Sequence, residues 1–426
     1  MGPTKLGVVN LERYLLYGMI LSMATYAIPF LRINTEKFIF PVGGVFIPLS
    51  CFLLLVRYFV SRKVTLSKFL ILSLFPIYFS IPLSSFFSVS LEAERIFKLS
   101  VFMSLPVLFS GVLNDYKSLR TSLYLIITVG SVLCIYGFYG YFTGNVGEEP
   151  QKIWWWTYAK YWGIHYLPST RNSDIYYIAI PLIIISALLF YGNLKSLFIK
   201  ILLISICMMF FASILLSFSR GSWISTFLTI IVLIFMILKK HGISKRKSPE
   251  NKLLLIFGII VVLTIVSELL NYFEMYDYFI GRMISIFSHE KAGYYLQESI
   301  SNEERLEILK VTTNIIFSNP LGVGTDNLRY FYNSYGLNVN HAENTYLHIL
   351  AEHGILGFIG FSIFIFYPMI MLYKRIKAGC SDWIRISIFL SSIYLATSYM
   401  FNVEIFSFYN WIIHSIIWSN ITIKDS

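Results

Sequence analysis

From Ile201 to Leu238 the chain runs for 38 residues with a single charge, Arg220. An α-helix rises about 1.5 Å per residue, so this run is far too long for one crossing of a hydrocarbon layer about 30 Å thick. It suits two crossings, and the polar group Ser219-Arg220-Gly221-Ser222 predicts the break between them. The same reading gives twelve candidate spans, near 12–32, 38–58, 67–88, 94–114, 119–142, 175–191, 195–218, 220–239, 252–270, 344–373, 384–402 and 403–421. Composition agrees: 56% of the 426 residues are hydrophobic and only 13% charged. A soluble domain of this size has no interior large enough for so much apolar surface, and a disordered chain has far less of it. Four Cys exclude a disulfide scaffold. The expected fold is an all-α polytopic membrane protein of about twelve transmembrane helices.

Charge sets the expected orientation, because cytoplasmic loops collect Lys and Arg. With the N-terminus inside, 21 of the 34 basic residues fall on inside segments and 18 of the 23 acids fall outside. Both termini are therefore expected in the cytoplasm. The net charge of +11 reports this asymmetry. Its basic residues are scattered over short loops and form no extended patch, so no nucleic-acid partner is expected. The division that follows is residues 1–142 with five spans, an outer loop 143–174, spans six to nine over 175–270, a large helical outer loop 271–343, and three spans over 344–426. No internal repeat is visible, which weighs against a transporter built from duplicated halves. Loops of this length carry function more often than they merely connect.

Four segments at the outer helix ends hold the candidate chemistry. Ser213, Ser217 and Arg220 lie at i, i+4 and i+7 and are expected on one helix face. An Arg beside a new helix N-terminus suits a phosphate; the plainer reading is an Arg that snorkels to the interface. Arg171, in Pro168-Ser-Thr-Arg-Asn-Ser-Asp174, is a second cation at a helix mouth, with a capped helix and a solvated Arg as the plainer alternative. Ser301 and Glu304 match a capping box, which puts Arg305 in the first turn of an amphipathic helix with Ile308, Val311 and Ile315 on one face. A cation in a first turn is unfavourable for the helix dipole, which hints at another role for Arg305. The Gly-rich turn Pro320-Leu-Gly-Val-Gly-Thr-Asp326 is weak evidence for phosphate binding.

The densest segment is His341-Ala-Glu343-Asn344-Thr-Tyr346-Leu347-His348, continuing to Glu352-His353-Gly354. With a helix starting near Asn344, that residue, His348 and Glu352 share one face, and Glu352 lies about 12 Å along the axis. Ionisable groups at such depth face a cavity or a partner. His341 or Glu343 at the mouth could take a proton from a sugar hydroxyl. Interhelical hydrogen bonding is the plainer reading of the polar residues. His341, His348 and His353 lack a recognised ligand spacing, so no metal is expected. Together the segments describe a positive outer pocket suited to an anionic lipid. Trp154, Trp155, Trp156 and Trp162 in the loop 143–174 could stack on sugars or form an interfacial belt.

These residues resemble the O-antigen ligase and O-antigen polymerase superfamily. The likeness rests on Leu216-Ser-Phe-Ser-Arg220-Gly-Ser-Trp223, on Glu304-Arg305 followed by Asn319-Pro-Leu-Gly-Val-Gly324, and on His341-Ala-Glu-Asn344-Thr-Tyr346-Leu347 running to Gly357. It implies a membrane-embedded C-type glycosyltransferase of the bacterial inner membrane, active on the periplasmic side in lipopolysaccharide biosynthesis. It implies a donor glycan on undecaprenyl diphosphate, a lipid A–core acceptor, inversion at the anomeric centre, and no metal or other cofactor. By the same resemblance Arg220 and Arg305 hold the diphosphate, Arg171 is a third contact, and His341 orients or deprotonates the acceptor. Asn344, Tyr346 and Glu352 are acceptor-side or structural polar groups. Many members place His directly before the Asn; Glu343 stands there instead, so His341 and Glu343 are both candidates for the base. An O-antigen polymerase with a lipid-linked acceptor is the nearest alternative. A protein O-oligosaccharyltransferase and a polysaccharide transporter stand further off.

Overall fold

The computed structural model describes residues 3–25, 32–34, 39–41, 49, 67–113, 115–143, 175–217, 219–242, 296–403 and 407–423. Among them are twelve helices: α1 Pro3–Thr25, α2 Lys68–Ser85, α3 Ala93–Val112, α4 Tyr116–Thr143, α5 Tyr176–Tyr191, α6 Leu197–Leu216, α7 Arg220–Gly242, α8 Leu296–Ser318, α9 Leu328–Ser334, α10 Thr345–Lys377, α11 Trp383–Ser398 and α12 Phe408–Thr422. Five of these, α2, α4, α6, α7 and α10, are long and apolar enough to cross a membrane, and α5 and α11 are shorter apolar helices. Ten of the twelve expected spans have a helix at their position. The expected spans near 38–58 and 252–270 lie largely or wholly outside the described residues.

Three expectations about local structure are corrected. The first helix ends at Thr25, and Arg32–Asn34 pairs antiparallel with Ile39–Pro41 as a short two-stranded ribbon within an otherwise helical fold. The first span is therefore displaced toward the N-terminus of its expected range, and residues 39–41, at the start of the second, are strand. The helix expected to start at Ser301 begins at Leu296. Ser301 is therefore inside the helix rather than at its start, and Arg305 sits in its third turn, where the dipole penalty has faded. The break expected within 201–238 is present, but α6 already ends at Leu216 and Ser217 is its C-cap. Arg220 opens α7, so it does not share a helix face with Ser213 and Ser217.

The helix α5 is buried along nearly its whole length, from Tyr176 to Leu188, as expected of a helix that is apolar all round and central. In contrast, α6 exposes Leu197, Phe198, Ile201 and Leu202, an outer face that needs lipid to cover it. Close helix approach depends on small residues. Gly357 and Gly360 of α10 face Ser80, Ile77 and Ser73 of α2 so tightly that a Cβ on Gly360 would lie 2.8 Å from the Ser73 carbonyl oxygen. Such small-residue contacts let membrane helices gain packing without a hydrophobic driving force.

Contacts between distant segments sort into two ends. At one end Ser90 pairs with Asn327, Glu92 with Arg329, Arg95 with Asp326, and Thr345 with the carbonyls of Tyr399 and Asn402. These residues lie on expected outer segments or at the expected outer ends of spans. At the other end Arg13 pairs with Asp115, Tyr17 with Ser118, and Arg375 donates to the carbonyls of Asn420, Ile421 and Ile423. Those lie on expected inner segments or at the expected inner ends of spans.

The most informative element is α10, which is two helices joined at Gly354 (φ 64°, ψ −168°). Its ladder is broken there, and the Gly-rich turn repairs it. The N–H of Val323 donates to the Ala351 carbonyl, that of Gly324 to the Glu352 carbonyl, and that of Ile355 to the Pro320 carbonyl, at 2.9, 2.9 and 3.1 Å. The freed backbone groups are thus satisfied inside the protein, as a broken membrane helix requires. A Cβ on Gly354 would lie 2.4 Å from the Leu321 carbonyl carbon, and one on Gly322 2.4 Å from the Glu352 carbonyl oxygen, so neither position has room for a side chain.

Candidate functional site

The site is assembled on the turn 341–344, between α9 and α10. Asn344 is the N-cap of α10: its Oδ1 accepts from Leu347 N at 3.0 Å and its Nδ2 donates to the Met400 carbonyl at 3.0 Å. Both ends of the amide are used, so this side chain fixes the turn. Its neighbour Thr345 binds the Asn402 carbonyl through its hydroxyl. The next residue on that loop, Phe401, lies against Gly221, where a Cβ would approach the Phe401 Cβ to 2.6 Å. The loop 399–402 therefore brings the start of α7, with Arg220, to the start of α10.

At the start of α7, Trp223 Nε1 donates back across the break to the Ile214 carbonyl at 2.8 Å, and the Ser219 and Ser222 hydroxyls lie 2.9 Å apart. No acid occupies the first turn of α7. The half-buried Arg220 thus adds its charge to the positive end of a helix.

The helix α8 packs Ile308, Val311 and Ile315 against Val323, Leu328 and Tyr332, and the Tyr332 hydroxyl bonds Thr312. The expected amphipathic face is the buried one. It fixes Arg305, whose Nη2 lies 3.5 Å from Oε2 of Glu343. The other oxygen of Glu343 is 3.7 Å from Nε2 of His341. Glu343 thus sits between a guanidinium and an imidazole, and its backbone is held at φ 55°, a region unfavourable for a residue with a long side chain. Burial by surrounding protein lowers the His341 pKa below its ordinary value, against the upward pull of the Glu343 carboxylate. The imidazole is therefore neutral near pH 7, with a lone pair available.

Other expected residues stand elsewhere. Tyr346 donates to the Ala396 carbonyl at 2.9 Å and packs among Phe361, Phe366 and Tyr399, so it braces α10 against α11. Glu352 is fully buried, with Oε2 3.3 Å from Nε2 of His348, and His353 is buried beside it. None of the residues of α10 before the break is exposed, and its exposed apolar side chains begin at Ile355. Glu352 therefore lies under the Gly-rich turn rather than deep in lipid. That turn, weak evidence for a phosphate site, has its N–H groups of Val323 and Gly324 committed to α10. Arg171 and the Trp cluster 154–156 with Trp162 fall outside the described residues. Among the described residues no three His, Cys, Asp or Glu side chains converge as a metal site.

A second polar cluster was not expected from the sequence. Arg329 donates to Glu92 at 2.7 Å and reaches Asp326 at 3.8 Å, while Arg95 lies 3.4 Å from Asp326. Partial burial raises the Glu92 pKa, but bonds from Ser90, Tyr330 and Arg329 outweigh it and hold the carboxylate below its ordinary range. This clasp ties the short connection between α2 and α3 to the turn that mends α10. Its one sequence signal is the group Glu92, Glu94 and Arg95 in an otherwise apolar stretch.

The comparisons with known proteins bear on the same segments. The family model described as O-Antigen ligase matches residues 205–362, a stretch that contains Arg220, Arg305, the Gly-rich turn and the whole segment from His341 to Gly357. No curated protein matches the chain. Over residues 205–362, the chain is similar to the O-Antigen ligase family.

Proposed function

We propose that the protein is an O-antigen ligase: an inverting, metal-independent glycosyltransferase that moves a polysaccharide from undecaprenyl diphosphate to lipid A–core. The active site faces the periplasm and both termini lie in the cytoplasm of an inner-membrane protein. The observation that carries this reading is the Glu343 carboxylate held between Arg305 and His341, beside the loop that brings in Arg220.

Such a site can do the chemistry as follows. The donor diphosphate meets the guanidinium of Arg220 at the positive end of α7, and that of Arg305. The Arg305–Glu343 pair is partly exposed and so holds weakly, and a diphosphate displaces the carboxylate easily. His341, neutral at pH 7, takes the proton of the acceptor hydroxyl as its oxygen bonds the anomeric carbon. The bond from that carbon to the phosphate oxygen breaks with inversion, and its electron pair leaves on the diphosphate. Two guanidiniums meet this charge with paired N–H donors in a fixed geometry. Glu343 then faces the imidazolium it helps to stabilise. In this scheme His341 is the base and Glu343 positions it. Arg171 is a third phosphate contact from the loop 143–174.

The test uses the purified chain in liposomes with labelled undecaprenyl-diphosphate glycan, with and without lipid A–core. Label moves to lipid A–core only when both are present. A ladder of longer lipid-linked glycans without lipid A–core contradicts the ligase assignment and indicates a polymerase.

A further inference from the structure

At the end of the molecule opposite the candidate site, an open cleft of about 600 Å³ separates the first turns of α4 and α11. Its walls include Tyr116, Lys117, Arg120, Asp382, Trp383 and Arg385. Three cations thus face one acid, and that acid is already engaged. Oδ1 of Asp382 caps α11 by accepting from the N–H groups of Ile384 and Arg385 at 3.0 and 3.1 Å. Its Oδ2 lies 3.5 Å from Nη1 of Arg385, which is buried and stacked over Tyr116 at 5.2 Å. Lys117 and Arg120 are exposed and form no ion pair with an acid among the described residues.

Single cations at helix ends commonly do no more than snorkel. Here two from one helix and one from another converge on a walled cleft. The wall continues along the flank of the bundle rather than into its end. One helical turn beyond Arg120, Tyr124 is 44% exposed and stacks on Trp383 with ring centroids 5.7 Å apart. Cations followed by amphipathic rings along one helix flank match a phosphate level followed by an acyl boundary. A soluble anion would have no use for the second part. We propose that this cleft binds the phosphate headgroup of an anionic phospholipid, with Lys117 and Arg120 on the phosphate and Tyr124 and Trp383 against the top of the acyl chains. The site is separate from the glycosyl-transfer site and stands whether or not that reading holds.

The full chain in mild detergent is titrated with phosphatidylglycerol and with phosphatidylethanolamine, and bound lipid is read by native mass spectrometry. The wild type prefers phosphatidylglycerol. Lys117→Gln with Arg120→Gln weakens that lipid by roughly thirtyfold, taking the usual contribution of a cation near an anionic surface. The exposed pair Lys374→Gln with Lys377→Gln, at the same end of the molecule, leaves it unchanged. Inorganic phosphate does not displace the bound lipid. Equal binding of the two lipids by the wild type overturns the proposal, and that measurement needs no variant. So does an equal loss in the control pair, which would mark a diffuse charge effect. Displacement by inorganic phosphate would assign the cleft to a soluble anion and overturn the lipid.

Discussion

The two parts of α10 differ in almost everything except sequence continuity. Residues 345–353 carry His348, Glu352 and His353 buried, and the others are buried or half-buried. Residues 355–377 extend about 34 Å, enough to cross a bilayer. They expose Ile355, Ile359, Ile370 and Tyr373, and end in Lys374, Arg375 and Lys377. The first part is built like the floor of a site, and the second like a lipid-facing anchor. What separates them is one residue, Gly354, and what keeps them together is a turn about thirty residues upstream that takes over the hydrogen bonds the break releases. A membrane helix can thus hold ionisable groups near its end without placing them in lipid, provided another segment closes the backbone around them.

That contrast can be broken most severely at its junction. Gly354→Ala forces a Cβ into the Leu321 carbonyl at a φ of +64°, combining strain and overlap. Stability falls by about 4 kcal/mol, from the usual range of each effect, which a melting curve in detergent reads. An unchanged melting point would mean that the two parts do not depend on the turn. Next comes Glu352→Gln, which leaves His348 buried without its carboxylate. The expected cost is about 3 kcal/mol, at the low end for breaking a buried pair; a neutral result would show that the pair is not ionised.

The third test is a pH profile. The His341 pKa is lowered from its ordinary value, so the base becomes protonated only at a lower pH than an ordinary histidine. The transfer rate levels off at high pH and falls as pH drops through the lowered pKa, by about tenfold per unit once well below it. His341→Gln removes this limb. If the limb persists in that variant, another group is the base. The smallest effect is in the anchor: Ile370 is 48% exposed, so Ile370→Ala changes stability by no more than about 0.5 kcal/mol. A large loss there would place a partner, not lipid, on that face.

Much of this layout is legible in the sequence because its causes are local. A run of 38 residues with one charge must break, and Ser217 to Arg220 is where polar groups permit it. The spacing of Ile308, Val311 and Ile315 names the face that α8 buries. What the sequence hides is non-local. Glu92 and Arg329 are 237 residues apart, and nothing in either neighbourhood announces the other. Hydropathy averages over Gly354, so 344–373 reads as one span. The Gly-rich turn looks like a phosphate loop because it has the same requirement, close backbone approach, but its partner is the helix carbonyls. Ser301 and Glu304 fit a capping box by residue type, although the chain continues the helix back to Leu296. The neighbourhood of Glu343, with Arg305 on one side and His341 on the other, follows only once α8 is seen packed against the turns before α10.

In the proposed function, the mouth of α10 with Arg220 and Arg305 transfers a glycan off a lipid diphosphate. The most direct measurement is release of the free undecaprenyl diphosphate carrier by the wild type, Arg220→Lys and Arg305→Lys in liposomes holding labelled donor and acceptor. The wild type releases carrier in step with transfer. Each Lys variant slows release by roughly 10²–10³, the usual effect of losing one preorganised donor to developing charge, because a point charge does not replace the paired fork. Release at the wild-type rate by both Lys variants would contradict the account, since the diphosphate would then leave without either guanidinium.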